Sequence, residues 1–158
     1  MDRNVDVAIS LQVAEHLPAR GGDVCVKNLT RLADLIRFSA AIPEQGAPGH
    51  VNEQWPDYSR QRFEAEDYEL VDWFRPRFWQ DDAVAPWYRQ NGYLYVRSGH
   101  PLPAEVRRLS VAWPLDAIHP RMYRISLERP PRLKELAHTV RRELPQAVRN
   151  YYRHRRQK

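Results

Sequence analysis

Val5-Asp6-Val7-Ala8-Ile9-Ser10-Leu11 and Leu35-Ile36-Arg37-Phe38-Ser39-Ala40 are the two runs that decide the fold class. The first is short, β-branched and apolar. It is too short for an amphipathic helix and reads as a strand buried on both faces, as in parallel sheets. Gly21-Gly22 reads as a turn after it, and Asp23 fits a helix N-cap. Cys25, Leu29, Leu32 and Ala33 then fall on one helical face. The second run reads as another strand. Strand, helix and strand within about 35 residues make a βαβ unit with a right-handed crossover, so the chain is expected to be α/β.

Working outward, Pro43 to Pro56 is a polar loop punctuated by Gly46, Pro48 and Gly49. Pro56 suits the first position of a helix reaching about Glu66. Tyr68 to Asp72 reads as a third strand and Tyr93 to Val96 as a fourth. Between them lie Trp73, Phe74, Phe78, Trp79, Trp87 and Tyr88, which read as core aromatics before they read as a base-stacking surface. Gly99 to Pro103 is a break, and residues 104–128 are irregular by pattern. Arg129-Pro130-Pro131 reads as a linker. Beyond it Leu133, Leu136, Ala137, Val140 and Leu144 share a helical face, with Pro145 kinking or restarting that helix. The expected division is 1–100, 101–128 and 129–158.

Composition narrows the classes of function. The 158 residues are 42% hydrophobic and 28% charged, an ordinary globular balance. No apolar run has transmembrane length, and the start is unlike a signal peptide. Cys25 is the single cysteine, so an internal disulfide and a multi-cysteine zinc site are excluded, and a cytoplasmic location is expected. The net charge is +5, but residues 129–158 alone carry +8, which leaves −3 on residues 1–128. Such a basic tail is either a solvated terminal helix or a surface for nucleic acid or an acidic partner.

Candidate chemistry sits after the first two strands. In open α/β sheets ligands bind at the carboxyl ends of the strands, where Ser10 to His16 begin. His16 is a candidate general base or orienting group, since imidazole titrates near neutral pH; its other reading is a helix-start residue bonded to backbone. Gly49-His50-Val51-Asn52-Glu53-Gln54-Trp55 leaves the same edge after the second strand and is either ligand-site material or a self-satisfied loop. The six histidines show no His-x-x-x-His spacing, so no metal-ligating set is expected. There is no Gly-x-Ser-x-Gly, no Walker A motif and no Gly-x-Gly turn.

Asp6-Val7-Ala8-Ile9-Ser10-Leu11-Gln12-Val13-Ala14-Glu15-His16-Leu17-Pro18 resembles the fourth strand and following loop of class I S-adenosylmethionine-dependent methyltransferases. Phe38-Ser39-Ala40-Ala41-Ile42-Pro43, Gly49 to Pro56 and Trp87-Tyr88-x-Gln90-Asn91 are similar to further segments of one bacterial branch, over about residues 5–97. The resemblance implies a partial Rossmann-like sheet, strands four to seven with the last antiparallel, followed by a basic helical tail. It implies S-adenosylmethionine near Ser10, Leu11 and Gln12. His16 would be the catalytic group, and His50, Asn52 and Trp55 would face the substrate. That branch commonly has Glu where this chain has Gln12.

The family's Gly-rich loop and acidic ribose-binding residue lie upstream of the matched segment. The expectation is therefore a truncated member: a split or misassigned reading frame, a remnant, or half of a two-chain enzyme. Alone it would be inactive. Its expected partner is a complementary N-terminal half, or a second copy meeting it along the edge from Val5 to Leu11. The competing expectation is a non-catalytic binding protein using its basic tail.

Overall fold

The computed structural model describes residues 5–110 and 115–128. The chain divides into two units, Met1–Leu127 and Glu128–Lys158. The elements below belong to the first, apart from the last residue of the final helix. The expected linker at Arg129 and the basic tail helix lie outside the described residues, as does the segment before Val5.

The chain is α/β. Four strands form one mixed sheet: β1 (Val7–Leu11), β2 (Leu35–Ser39), β3 (Tyr68–Val71) and β4 (Tyr93–Arg97). Their order is β1-β2-β4-β3. β1 and β2 are parallel, joined through helix α1 (Ala19–Leu32). β4, the last strand, is antiparallel to both β2 and β3. β1, β2 and β3 therefore all run the same way.

Period two along the strands sorts the side chains. Ala8, Ile36, Phe38, Tyr68, Leu70, Tyr93 and Tyr95 point to one face and are buried with Val26 and Leu29 of α1 and Phe63 of α2 (Pro56–Glu64). The aromatic centre is tight. Phe63 stacks on Tyr95 with ring centroids 3.8 Å apart and meets Phe38 edge-on at 5.3 Å. Tyr68 passes its hydroxyl to the carbonyls of Thr30 and Ala33, which ties β3 to the end of α1. On the opposite face Val71 and Val96 are buried, while Val7 and Ile9 of β1 are 45% and 64% exposed. Shorter helices follow: α3 (Arg75–Phe78), α4 (Pro86–Asn91), α5 (Ala104–Arg107) and α6 (Pro120–Glu128). Among the described residues no helix is long and apolar enough to cross a membrane.

Several sequence expectations need correction. β1 is buried on one face only. Its place at the edge of the sheet is as expected: among the described residues it pairs with β2 alone. Gly21-Gly22 is not a turn but lies inside α1, which starts at Ala19 after Pro18. Proline's fixed φ pre-sets that entry, and a Cβ at Gly21 would press to 3.2 Å against that of Leu17. The buried positions of α1 are Gly22, Val26, Leu29 and Thr30; Leu32 is 41% exposed. Residues 104–128 are not irregular throughout, since they contain α5 and α6. They bury little: α5 buries nothing and α6 buries only Met122.

Phe63 is 0% exposed and touches three aromatic neighbours. Phe63→Ala is expected to cost about 3–5 kcal/mol through lost transfer energy and the cavity left behind. Urea unfolding checks this: the midpoint falls while the slope stays constant.

Candidate functional site

Because β1, β2 and β3 run together, Leu11, Ser39 and Val71 finish on one edge of the sheet, where antiparallel β4 begins at Tyr93. The chain leaves β1 through Gln12, whose φ of +54° is left-handed. Such a conformation costs a non-glycine residue about 1–3 kcal/mol and persists only where neighbours enforce it. Here the Gln12 amide donates to the Ser39 carbonyl at 2.9 Å, and its side-chain amide donates to the Ser39 hydroxyl at 3.2 Å. Glu44, on the loop that faces it, also has a left-handed φ. Its amide donates to Glu53 Oε2 at 3.0 Å.

After Gln12 a short 3-10 turn, Ala14–His16, presents Glu15 and His16. The loop after β2 closes onto this turn. The Glu15 carbonyl accepts from the amides of Val51 at 2.9 Å and Asn52 at 3.0 Å. His16 Nδ1 lies 3.1 Å from the Gly49 carbonyl. A carbonyl can only accept, so Nδ1 carries the proton and donates. Gly49 itself has a φ of +80°, and a Cβ there would come within 3.2 Å of His16 Nδ1.

The loop is held from within by Glu53. Its carboxylate accepts from the amides of Glu44 and Gly46 and lies 2.7 Å from His50 Nδ1. As a carboxylate it also makes His50 the Nδ1–H donor. The two imidazoles then meet edge to face, centroids 4.8 Å apart. Glu15 completes the group. Its side chain is fully buried and neither carboxylate oxygen accepts a well-formed hydrogen bond. Burial raises its pKa above the ordinary carboxylate range. Its own amide, His50, His16 and the Ala41 amide oppose that shift without cancelling it. One ligating atom from each of Glu15, His16 and His50 lies within 4.8 Å of the other two.

A second constellation runs along the same edge as a chain of side-chain amides. Gln12 bonds Ser39, Gln45 bonds Gln12 at 2.9 Å, Asn91 bonds Gln45 at 2.7 Å, and Gln90 bonds Asn91 at 2.9 Å. The His119 backbone amide donates to Gln90 at 2.7 Å and closes the series. Beside it Phe38, Ala40, Gln54, Pro56, Ser59 and Asn91 line a crevice with room for about one water.

The residues singled out from sequence are distributed over these features. Ser10 is buried and Leu11 half-buried at the strand end, and Gln12 belongs to the amide chain. His16 and His50 come together. Asn52 turns away from them: its Oδ1 accepts from Gln54, and its Nδ2 faces Gly22 of α1. Trp55 is 38% exposed at the start of α2. Sequence reading missed Glu15 as a partner of the histidines, and it missed the amide chain. His16 and His50 lie 34 positions apart, beyond any spacing rule for one helix, and only the loop closure joins them.

Gly49→Ala is expected to lower stability by about 1–2 kcal/mol, since alanine disfavours the left-handed region. It should also displace the His16 ring. Thermal unfolding and the side-chain nitrogen resonances of His16 check this. An unchanged melt with unmoved resonances would show that the Gly49–His16 contact does not hold the loop.

Compared with protein-family models, curated proteins and solved structures, the chain matches none.

Proposed function

We propose that this chain is the C-terminal, acceptor-side part of an S-adenosylmethionine-dependent methyltransferase. The observation that carries the reading is the meeting of two segments at one sheet edge. Ser10 to His16 and Gly49 to Trp55 are the runs with the clearest resemblance, and they are joined by the bonds from Val51 and Asn52 to Glu15. A four-stranded sheet whose last strand is antiparallel is what the same resemblance implies.

The cofactor would supply a methyl group on a sulfonium centre. Methyl transfer depends above all on holding the acceptor in line at near-attack distance. The rigidly tethered 49–53 loop and His16 are suited to that positioning, with His16 exposed at the surface of the cluster. The fit to the cofactor itself is partial. Ser10, Leu11 and Gln12 can form a wall beside it, but Gln12 spends its side chain on Ser39 and Gln45, and the crevice nearby is far smaller than a nucleoside. The sequence has no Gly-x-Gly turn to cradle it. We therefore assign the cradle to a complementary N-terminal half seated on β1, which pairs with β2 alone among the described residues and has Val7 and Ile9 exposed on one face. The free, half-buried thiol of Cys25 fits a reducing cytoplasm. The other reading, a protein binding nucleic acid or an acidic partner through its basic tail, rests on residues outside the described ones, and nothing described favours it.

Residues 1–158 alone are expected to bind S-adenosylmethionine very weakly. Calorimetry giving low-micromolar affinity would overturn the assignment of the cradle to another half. Placing Lys at both Val7 and Ile9 should abolish association through the β1 edge. Light scattering at high protein concentration checks this, and a parent chain that is already monomeric there would count against an interface on β1.

A further inference from the structure

We propose that Glu15, His16 and His50 form a binding site for a divalent first-row transition metal ion, with zinc the best match. Three observations converge on it. One ligating atom from each residue already lies within 4.8 Å of the other two. Donor atoms around one tetrahedral zinc are about 3.4 Å apart, for bond lengths near 2.1 Å. To share one ion the ligating atoms must draw together, by up to about 1.4 Å for those within 4.8 Å.

The second observation is the state of the imidazoles. A metal-ligating histidine characteristically gives its other ring N–H to a carboxylate or a backbone carbonyl, which fixes the tautomer and raises ligand basicity. Both partners are present: Glu53 takes the Nδ1 proton of His50 at 2.7 Å, and the Gly49 carbonyl takes that of His16 at 3.1 Å. Each ring is left with its Nε2 lone pair as the ligating atom. Glu53 is in turn fixed by the amides of Glu44 and Gly46, so the outer shell is itself anchored.

The third observation is Glu15. Its carboxyl group is fully buried, the amides of Glu15 and Ala41 approach it without forming well-formed hydrogen bonds, and its burial still outweighs them, so the charged form calls for a cation to balance it. Within this cluster a metal ion does so directly. Two imidazole nitrogens with one carboxylate oxygen suit zinc and its first-row neighbours, whereas magnesium and calcium prefer sites made of oxygen. The His16 ring is exposed, which gives the ion a route in and leaves its outer side open to water or to an oxygen or nitrogen ligand. The site stands on these residues alone and does not depend on the methyltransferase reading.

The test uses the full chain after chelator treatment. Zn²⁺ is titrated by calorimetry and Co²⁺ by its visible absorption, with Mg²⁺ as the control. The expected result is one tight site for Zn²⁺ and Co²⁺ and at least tenfold weaker binding of Mg²⁺. His16→Ala, His50→Ala and Glu15→Gln should each weaken Zn²⁺ at least tenfold. Glu53→Gln, which loosens His50 without removing a ligand, should weaken it about tenfold. Circular dichroism checks folding. If a buried-site variant unfolds, His16→Ala, at an exposed ring, carries the test. The proposal is overturned if Zn²⁺ does not bind, if Mg²⁺ binds as tightly, or if a folded His16→Ala keeps the parental affinity, since the ion would then sit on other residues.

Discussion

The carbonyl of Glu15 accepts hydrogen bonds from two consecutive backbone amides, Val51 and Asn52, and the architecture of the sheet edge depends on that pair. Each bond is worth about 0.5–1.5 kcal/mol net. Their structural effect is larger than their energy, because they close the loop between β2 and α2 onto the turn that follows β1. With those amides held, Gly49 falls over His16, His50 over its neighbour's ring, and Glu15 is sealed beneath both. The parallel strands bring the two segments to one edge, and these bonds bring the side chains into contact.

How far the sequence predicts this arrangement depends on the range of each signal. The βαβ unit is legible because its information is local: alternating or continuous apolar runs separated by one helical period. β3 and β4 follow in the same way, and Pro56 does stand at the first turn of α2. The start of α1 is not legible, because two glycines outweigh any pattern unless the space beside Leu17 is known. α6 is masked for another reason. It is short, begins at a proline and buries only Met122. The open face of β1 is legible only in part: the apolar run alone reads Val7 and Ile9 as core, whereas the expectation of an edge strand without its covering helices leaves them exposed.

The site divides along the same line. Ser10 to His16 and the 49–55 loop are identifiable as neighbours because two strands of one direction deliver them to one edge. The partners are not. His50 is read as a substrate-facing group, yet its strongest contact is to Glu53, three positions on in its own loop. Glu15 carries no sequence signal at all, since an exposed and a fully buried glutamate look alike in a string of letters. Asn52 shows the converse: a polar loop residue that turns to α1 and supports the backbone.

The row of amides from His119 to Ser39 has a direction. At every junction the donor lies on the His119 side and the acceptor on the Ser39 side, so the bond dipoles add head to tail. Its first donor is a backbone N–H, which cannot be turned round. Rotating the amide of Gln90, Asn91 or Gln45 by half a turn would set nitrogen against nitrogen at one junction and oxygen against oxygen at the next, and rotating that of Gln12 would set nitrogen against nitrogen at Gln45. The orientations of Gln90, Asn91, Gln45 and Gln12 are therefore inherited in sequence from the start of α6. A glutamine at position 12 relays that polarity to the Ser39 hydroxyl, whereas a glutamate there would end it in a negative charge beside the end of β1.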